Sequence, residues 1–235
     1  MLTHVDLFSG IGGFALAAEW AGFKTVALCE IDDYCQKVLR KHWPDVPIIP
    51  EIRGFNGARW SGTTLLTGGP PCQHTSMAAA IQGRRTGETL WPEMARIVSE
   101  MRPFWVLVEQ PSGNKNWEDQ VKKSLERIGY RIFRFERSAS DCGAPHQRRR
   151  LFIIANTSGQ RLLALARIRK SSALKKTSWP APPRGAWRSA RTGNCGMDDG
   201  ISHWMDRLKC LGNAVVPQVA YEIMKIIASI EIQSC

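Results

Sequence analysis

Cys72 follows Gly68-Gly69-Pro70-Pro71, a stiff turn leaving the short apolar run Thr64–Thr67. A cysteine presented on such a turn at a strand end is placed as a nucleophile would be. A free thiol is already partly ionised near neutral pH, and its thiolate is intrinsically reactive. Glu109 ends a second apolar run, Trp105–Glu109, and the triplet Arg148-Arg149-Arg150 precedes a third, Leu151–Ala155. A glutamate after Trp-Val-Leu-Val would be costly to bury without purpose. Thiol, carboxyl and guanidinium groups on neighbouring strand ends make a site. A second constellation lies upstream. Asp6–Gly13 reads as a strand running through a glycine-rich turn into a helix, where a cofactor can approach the backbone and the helix N-terminus favours a negative group. It has neither the lysine of a phosphate loop nor a clean Gly-x-Gly-x-x-Gly. Glu30 follows the run Lys24–Cys29, where an acidic residue typically takes the ribose hydroxyls of a nucleotide-like cofactor.

The elements that must position these groups alternate. Strands are expected at His4–Phe8, Lys24–Cys29, Thr64–Thr67, Trp105–Glu109, Arg131–Glu136 and Leu151–Ala155. Helices are expected at Phe14–Ala21, stopped by Gly22, and from Asp32, a good cap, to His42 before Pro44. Two more are expected at Pro92–Met101 and Asn116–Ile128, the latter closed by Gly129. Strands alternating with helices imply an α/β fold, a doubly wound, mostly parallel sheet with helices on both faces. Ligands of such sheets bind outside the carboxyl ends of the strands, and Phe8, Glu30, Cys72 and Glu109 fall at or just past such ends.

The texture changes after Asn156. Residues 157–206 hold nine Lys/Arg against three Asp, with Pro180, Pro182 and Pro183 and a basic run at Leu162–Lys176. The expected organisation is a larger domain over 1–156, a small loop-rich basic insert over 157–206, and a closing segment, 207–235, whose helix at Val215–Ile230 completes the larger domain. The net charge of +11 among 235 residues favours a polyanion partner such as nucleic acid. Seven cysteines, with no Cys-x-x-Cys pair, argue against a disulfide framework or zinc ribbon and for a reducing cytoplasm; no metal site is expected. No apolar run approaches the roughly 20 residues of a membrane helix, and no signal-peptide layout is seen at the N-terminus.

Taken in order, the motifs resemble those of the cytosine-C5 DNA methyltransferase family. The family's first motif is similar to Asp6–Gly13 and its second to Cys29-Glu30-Ile31-Asp32. Its nucleophile motif resembles Gly68–Gln73 with Ser76 after it, and its Glu-Asn-Val motif resembles Glu109-Gln110-Pro111. Its Gln-x-Arg-x-Arg motif resembles His146–Arg150, and its closing motif matches Leu211–Pro217. The resemblance covers all but the insert. It departs at Glu51-Ile52 for an Asp-Ile pair, at His146 for glutamine, at Gln110-Pro111 for Asn-Val, and at His74-Thr75 before Ser76. These departures suggest a divergent, prokaryotic or phage-encoded branch.

The resemblance implies a reaction and a set of roles. Cys72 would add to C6 of cytosine, so that C5 becomes nucleophilic enough to take the methyl group of S-adenosyl-L-methionine. Glu109 would bind N3 and the exocyclic amine, protonated because burial raises its pKa. Arg148 would hold the base's O2 and Arg150 would brace the site or a phosphate. The cofactor would be held by Phe8 on the adenine, Gly10 and Gly12 at the methionine moiety, Glu30 on the ribose, and Ile31 and Ile52 beside the adenine. Leu90, Asn213 and Val215 would complete that pocket. A monomer is expected to bind double-stranded DNA, flipping the base out at a cost of a few kcal/mol. Gln73, Ser76, Arg150, Arg184 and Arg188 would contact the DNA. So small an insert has few side chains for base edges, so a short or degenerate target is expected. Two alternatives stay open: the same chemistry on transfer RNA, and a catalytically silent DNA-binding module.

Overall fold

The structure, a computed structural model, describes residues 1–71, 89–143, 147–159, 161–163, 165 and 214–233. Seven strands form one sheet in the order β3-β2-β1-β4-β5-β7-β6. They are β1 (Thr3–Leu7), β2 (Lys24–Cys29), β3 (Ile48–Ile49), β4 (Leu65–Gly68), β5 (Trp105–Pro111), β6 (Arg131–Arg137) and β7 (Arg150–Asn156). Strands β1 to β5 pair in parallel, and β7 lies antiparallel between β5 and β6. The helices described are α1 (Gly13–Trp20), α2 (Asp33–His42), α3 (Trp91–Met101), α4 (Lys115–Arg127) and α5 (Pro217–Gln233). This is the doubly wound α/β sheet read from the pattern of elements.

Side-chain spacing explains which face each element buries. Trp91, Met94, Ile97, Val98 and Met101 recur at helical period along α3, and Trp117, Val121 and Leu125 along α4. With Val5, Leu7, Leu66, Val106 and Val108 they make the core on one face of the sheet. The alternate strand residues Leu65, Trp105 and Leu107 pack on the other face, against α1 and α5. Asp32 caps α2 with Oδ1, which accepts from Tyr34 N and Cys35 N at 3.0 and 3.1 Å. Helix α5 starts at Pro217, the first-turn position where a missing N–H costs nothing.

Four features depart from the sequence expectation. The two-residue β3, set between Pro47 and Pro50, is too short to show a period. Ile52–Gly54 and Gly57–Trp60 form 3₁₀ turns. Strand β5 continues to Pro111, so Glu109 lies two residues inside it rather than at its end; Pro111 is tolerated as the last paired residue. The closing helix begins two residues later than expected, at Pro217, and runs on to Gln233.

A polar chain crosses the core beneath the strand ends. Thr67 donates its hydroxyl to Asp6 Oδ1 at 2.6 Å. Its oxygen must therefore accept from His4 Nε2, 2.9 Å away, which leaves His4 Nδ1 to accept from Thr25 Oγ1 at 3.0 Å. His4, Asp6 and Thr67 are fully buried. At the opposite edge of the sheet, buried Glu231 of α5 accepts from Trp105 Nε1 at 2.8 Å and pairs with Arg161 at 3.2 Å.

Candidate active site

Antiparallel pairing of β5 with β7 builds the first half of the site. Register sets Glu109 opposite Phe152 and Pro111 opposite Arg150, so the start of β7 reaches the same sheet edge as the end of β5. Arg150 Nε lies 2.7 Å from Glu109 Oε1. Arg148 takes the left-handed backbone conformation, φ 30°, and its Nη2 donates to Ala214 O at 2.6 Å. Phe8, with φ 57°, is a second non-glycine residue in that region. Such strained positions cluster at functional sites.

Glu109 is only 7% exposed. Burial pushes its carboxyl above the ordinary carboxylate range, while Arg150 and then Arg148 pull the other way without cancelling the rise. Burial, with Arg150 adding to it, holds Arg148 below the usual guanidinium value against the pull of Glu109. The carboxyl faces the chain that leads to Cys72: a side chain at Gly69 would begin 3.2 Å from Glu109 Oε2. Gln110, read from sequence only as a departure from the family pattern, donates through Nε2 to Pro70 O.

The second half lies where β1 and β2 end. Ser9 N donates to Cys29 O at 2.9 Å and Ser9 Oγ donates to Asp6 O at 2.9 Å, folding the glycine turn over the strand ends. Gly12 has φ 87°, and a Cβ there would lie 2.3 Å from the Trp43 ring. At Gly13 a Cβ would meet Val215 O at 2.7 Å. Glu30 uses one carboxylate oxygen to accept from Gly10 N at 2.7 Å and the other from Asp32 N at 2.8 Å. A carboxylate oxygen can accept a second bond, and among the described residues each of these accepts one. Burial first, then the charges of Glu30, Glu51 and Asp6, push the Cys29 thiol up to about 12. The partly exposed carboxylates of Glu30 and Glu51 at these strand ends suit a ligand that brings hydroxyl donors and positive charge, so the residues present fit S-adenosylmethionine.

Phe8, Ile52 and Leu90 gather on the one apolar cluster that also holds Phe55 and Trp91. Val215 packs on the opposite face of the sheet, and Ile31 projects outward, 71% exposed. Cys72, Gln73, Ser76, Arg184, Arg188, Asn213 and His146 lie outside the described residues. Among the described residues no three His, Cys, Asp or Glu side chains gather as a metal site, and no helix is long and apolar enough to cross a membrane.

Comparison with known proteins bears on the same region. The family described as C-5 cytosine-specific DNA methylase matches residues 2–192. The Type II methyltransferase M.NgoMIV of Neisseria gonorrhoeae is 31% identical over 159 residues, covering 65% of this chain and 51% of its own. M.PspPI of a Psychrobacter strain is 37% identical over 163 residues, covering 64% and 38%. Among solved structures, a DNA modification methyltransferase encoded within an E. coli prophage superposes with a TM-score of 0.55 at 26% identity, covering 66% of this chain and 47% of that one. The DNMT2 of Spodoptera frugiperda shares the fold, with a TM-score of 0.56 at 20% identity over 68% and 51% of the two chains. The chain thus spans about half the length of these relatives, or less. The match over residues 2–192 nevertheless takes in both halves of the site, and the chain belongs to the C-5 cytosine-specific DNA methylase family.

Proposed function

We propose that the chain is an S-adenosylmethionine-dependent DNA (cytosine-5-)-methyltransferase, a cytoplasmic monomer acting on a cytosine flipped out of double-stranded DNA. The observation that carries this reading is Glu109, a buried carboxyl held at 2.7 Å by Arg150 and set beside the backbone that delivers Cys72. In this reading residues 1–156 and 207–235 form the catalytic domain and 157–206 the recognition segment, with Arg184 and Arg188 at the DNA.

Cytosine is electron-poor at C6 but a weak nucleophile at C5. Attack by the Cys72 thiolate at C6 pushes electron density toward N3, where a protonated Glu109 donates. The rise in the Glu109 pKa supports that role, because the carboxyl must hold its proton near neutral pH to give it. Arg148, whose backbone is strained and whose guanidinium is anchored on Ala214, holds the base at O2. Arg150 keeps the Glu109 carboxyl in place, and Gln73 and Ser76 contact the nucleotide. Phe8, Gly10, Gly12, Glu30, Ile31, Ile52, Leu90, Asn213 and Val215 hold S-adenosylmethionine, which when bound supplies an electrophilic methyl group to C5. Loss of the C5 proton then expels the Cys72 thiolate and restores the ring.

The test uses a duplex carrying 5-fluorocytosine, whose fluorine blocks the last elimination, together with S-adenosylmethionine. A denaturation-resistant protein–DNA adduct is expected, and Cys72→Ala should abolish it. Absence of an adduct on DNA, in a protein shown to bind S-adenosylmethionine, would defeat the reading. An adduct on transfer RNA instead would move the chemistry to that polymer.

A further inference from the structure

Arg96 of α3 organises more than a surface arginine needs to. Its Nε donates to Glu93 Oε2 at 3.0 Å. Nη1 donates to Glu100 Oε1 at 2.6 Å and to Phe55 O at 3.1 Å. Nη2 donates to Ile52 O at 3.1 Å and, more weakly, to Arg53 O at 3.4 Å. A guanidinium has five N–H groups in a rigid fork, and here all five have acceptors. The two glutamates, one turn either side on the same helix, aim the fork. The three carbonyls belong to the 3₁₀ turn Ile52–Gly54 and the residue after it; Ile52 O already accepts from Phe55 N at 3.1 Å, and its second lone pair takes the guanidinium. Glu100 extends the grip by accepting from Gly57 N at 2.9 Å. There the backbone lies so close to α3 that a Cβ on Gly57 would be 2.9 Å from Ile97 O. Exposed ion pairs by themselves are worth little; what this one holds is the geometry of a loop.

That loop carries Ile52, and the N-cap of the same helix is Leu90. We propose that Arg96 is a positioning residue for the cofactor pocket: it pins the Ile52 turn to α3 and so sets the gap between Ile52 and Leu90 in which the adenine of S-adenosylmethionine is held. The inference rests on the proposed function for its ligand. Lysine cannot replace the fork, since an ammonium reaches these carbonyls as a point charge without the planar spread of donors.

The experiment is calorimetric titration of the full chain with S-adenosylmethionine, well below the unfolding temperature. It compares the parent, Arg96→Ala, Arg96→Lys and, as a destabilised control remote from the pocket, Glu231→Gln. Arg96→Ala and Arg96→Lys should both weaken Kd on the order of tenfold, and KM for the cofactor should rise in parallel while kcat at saturation stays within about twofold. Glu231→Gln should lower the unfolding temperature and leave Kd alone. If Arg96→Ala does not fold, Arg96→Lys decides, because it keeps the charge between Glu93 and Glu100. Parental affinity in the Arg96 variants would overturn the inference, as would a loss of affinity in Glu231→Gln that tracks its stability. A parent that binds no S-adenosylmethionine would overturn the proposed function itself, and this inference with it.

Discussion

Asp6 and His4 share one chain of hydrogen bonds through Thr67 and carry opposite pH signatures. Burial pushes the Asp6 carboxyl up to about 7, with Glu30 adding to the rise and Thr67 and Ser9 opposing it. Burial pushes His4 down from 6.5 to about 3. Between its unfolded value of 3.8 and about 7, Asp6 keeps a proton in the native state that the unfolded chain has lost. Its contribution to stability is therefore full below the lower value and gone above the upper one. His4 does the reverse: its contribution is full above 6.5 and lost as pH falls toward about 3. In the shared window the two slopes oppose. Asp6→Asn removes one, so the urea midpoint of the variant should fall below that of the parent by a gap that widens on acidification from pH 7 to 4. Parallel curves would show that Asp6 titrates normally. None of this network could be read from the sequence, because His4 and Thr67 sit in runs whose pattern says only strand. Glu109 and Arg150 were legible as members of one site, through their motifs, but not as an ion pair: the sequence leaves Arg150 to brace the site or a phosphate, and the pairing of β5 with β7 brings it to the carboxylate. The five acceptors of Arg96 were not, since the spacing to Glu93 and Glu100 shows a helical ion pair and nothing of the loop beyond it.

The elements were legible where their period is long. Helices α3 and α4 announce themselves by apolar residues at every third or fourth position, and their ends fall within a residue or two of expectation. Strand direction is a different matter. An apolar run such as Leu151–Ala155 is buried on both faces and carries no mark of which way it pairs, so the antiparallel insertion of β7 had to come from the fold. Docking of α5 was likewise hidden, because Glu231 looks like a surface acid at the end of an amphipathic helix. It is instead a buried acceptor shared by Trp105 and Arg161, the one from β5 and the other from beyond β7. Glu231→Gln removes the charge that Arg161 pairs with and should cost about 1–3 kcal/mol in urea unfolding. A loss near zero would mean that Arg161 re-solvates freely and the helix is held by its apolar face alone.

For the whole molecule, if the substrate is DNA as proposed, the net charge of +11 predicts an affinity that falls steeply with salt. If Arg184 and Arg188 touch phosphates, replacing each with alanine should lower the slope of log K against log salt by about 0.9; an unchanged slope would move those side chains off the backbone. The architecture also sets what the basic segment has to do. Strand β7 begins beside Glu109 and runs away from it, ending at Asn156 opposite Trp105, and Arg161 is still at that far edge, paired with Glu231. The chain is back at the near edge by Ala214, under Arg148. Between those points it must climb the height of a seven-residue strand, roughly 23 Å. That is about seven residues if extended or fifteen if helical. The segment, 50 residues over 157–206, is longer than that span requires. Residues added to the segment leave that span unchanged, so under the proposed function a lengthened segment should gain sequence discrimination from the first added residue onward, read as a stricter methylation site.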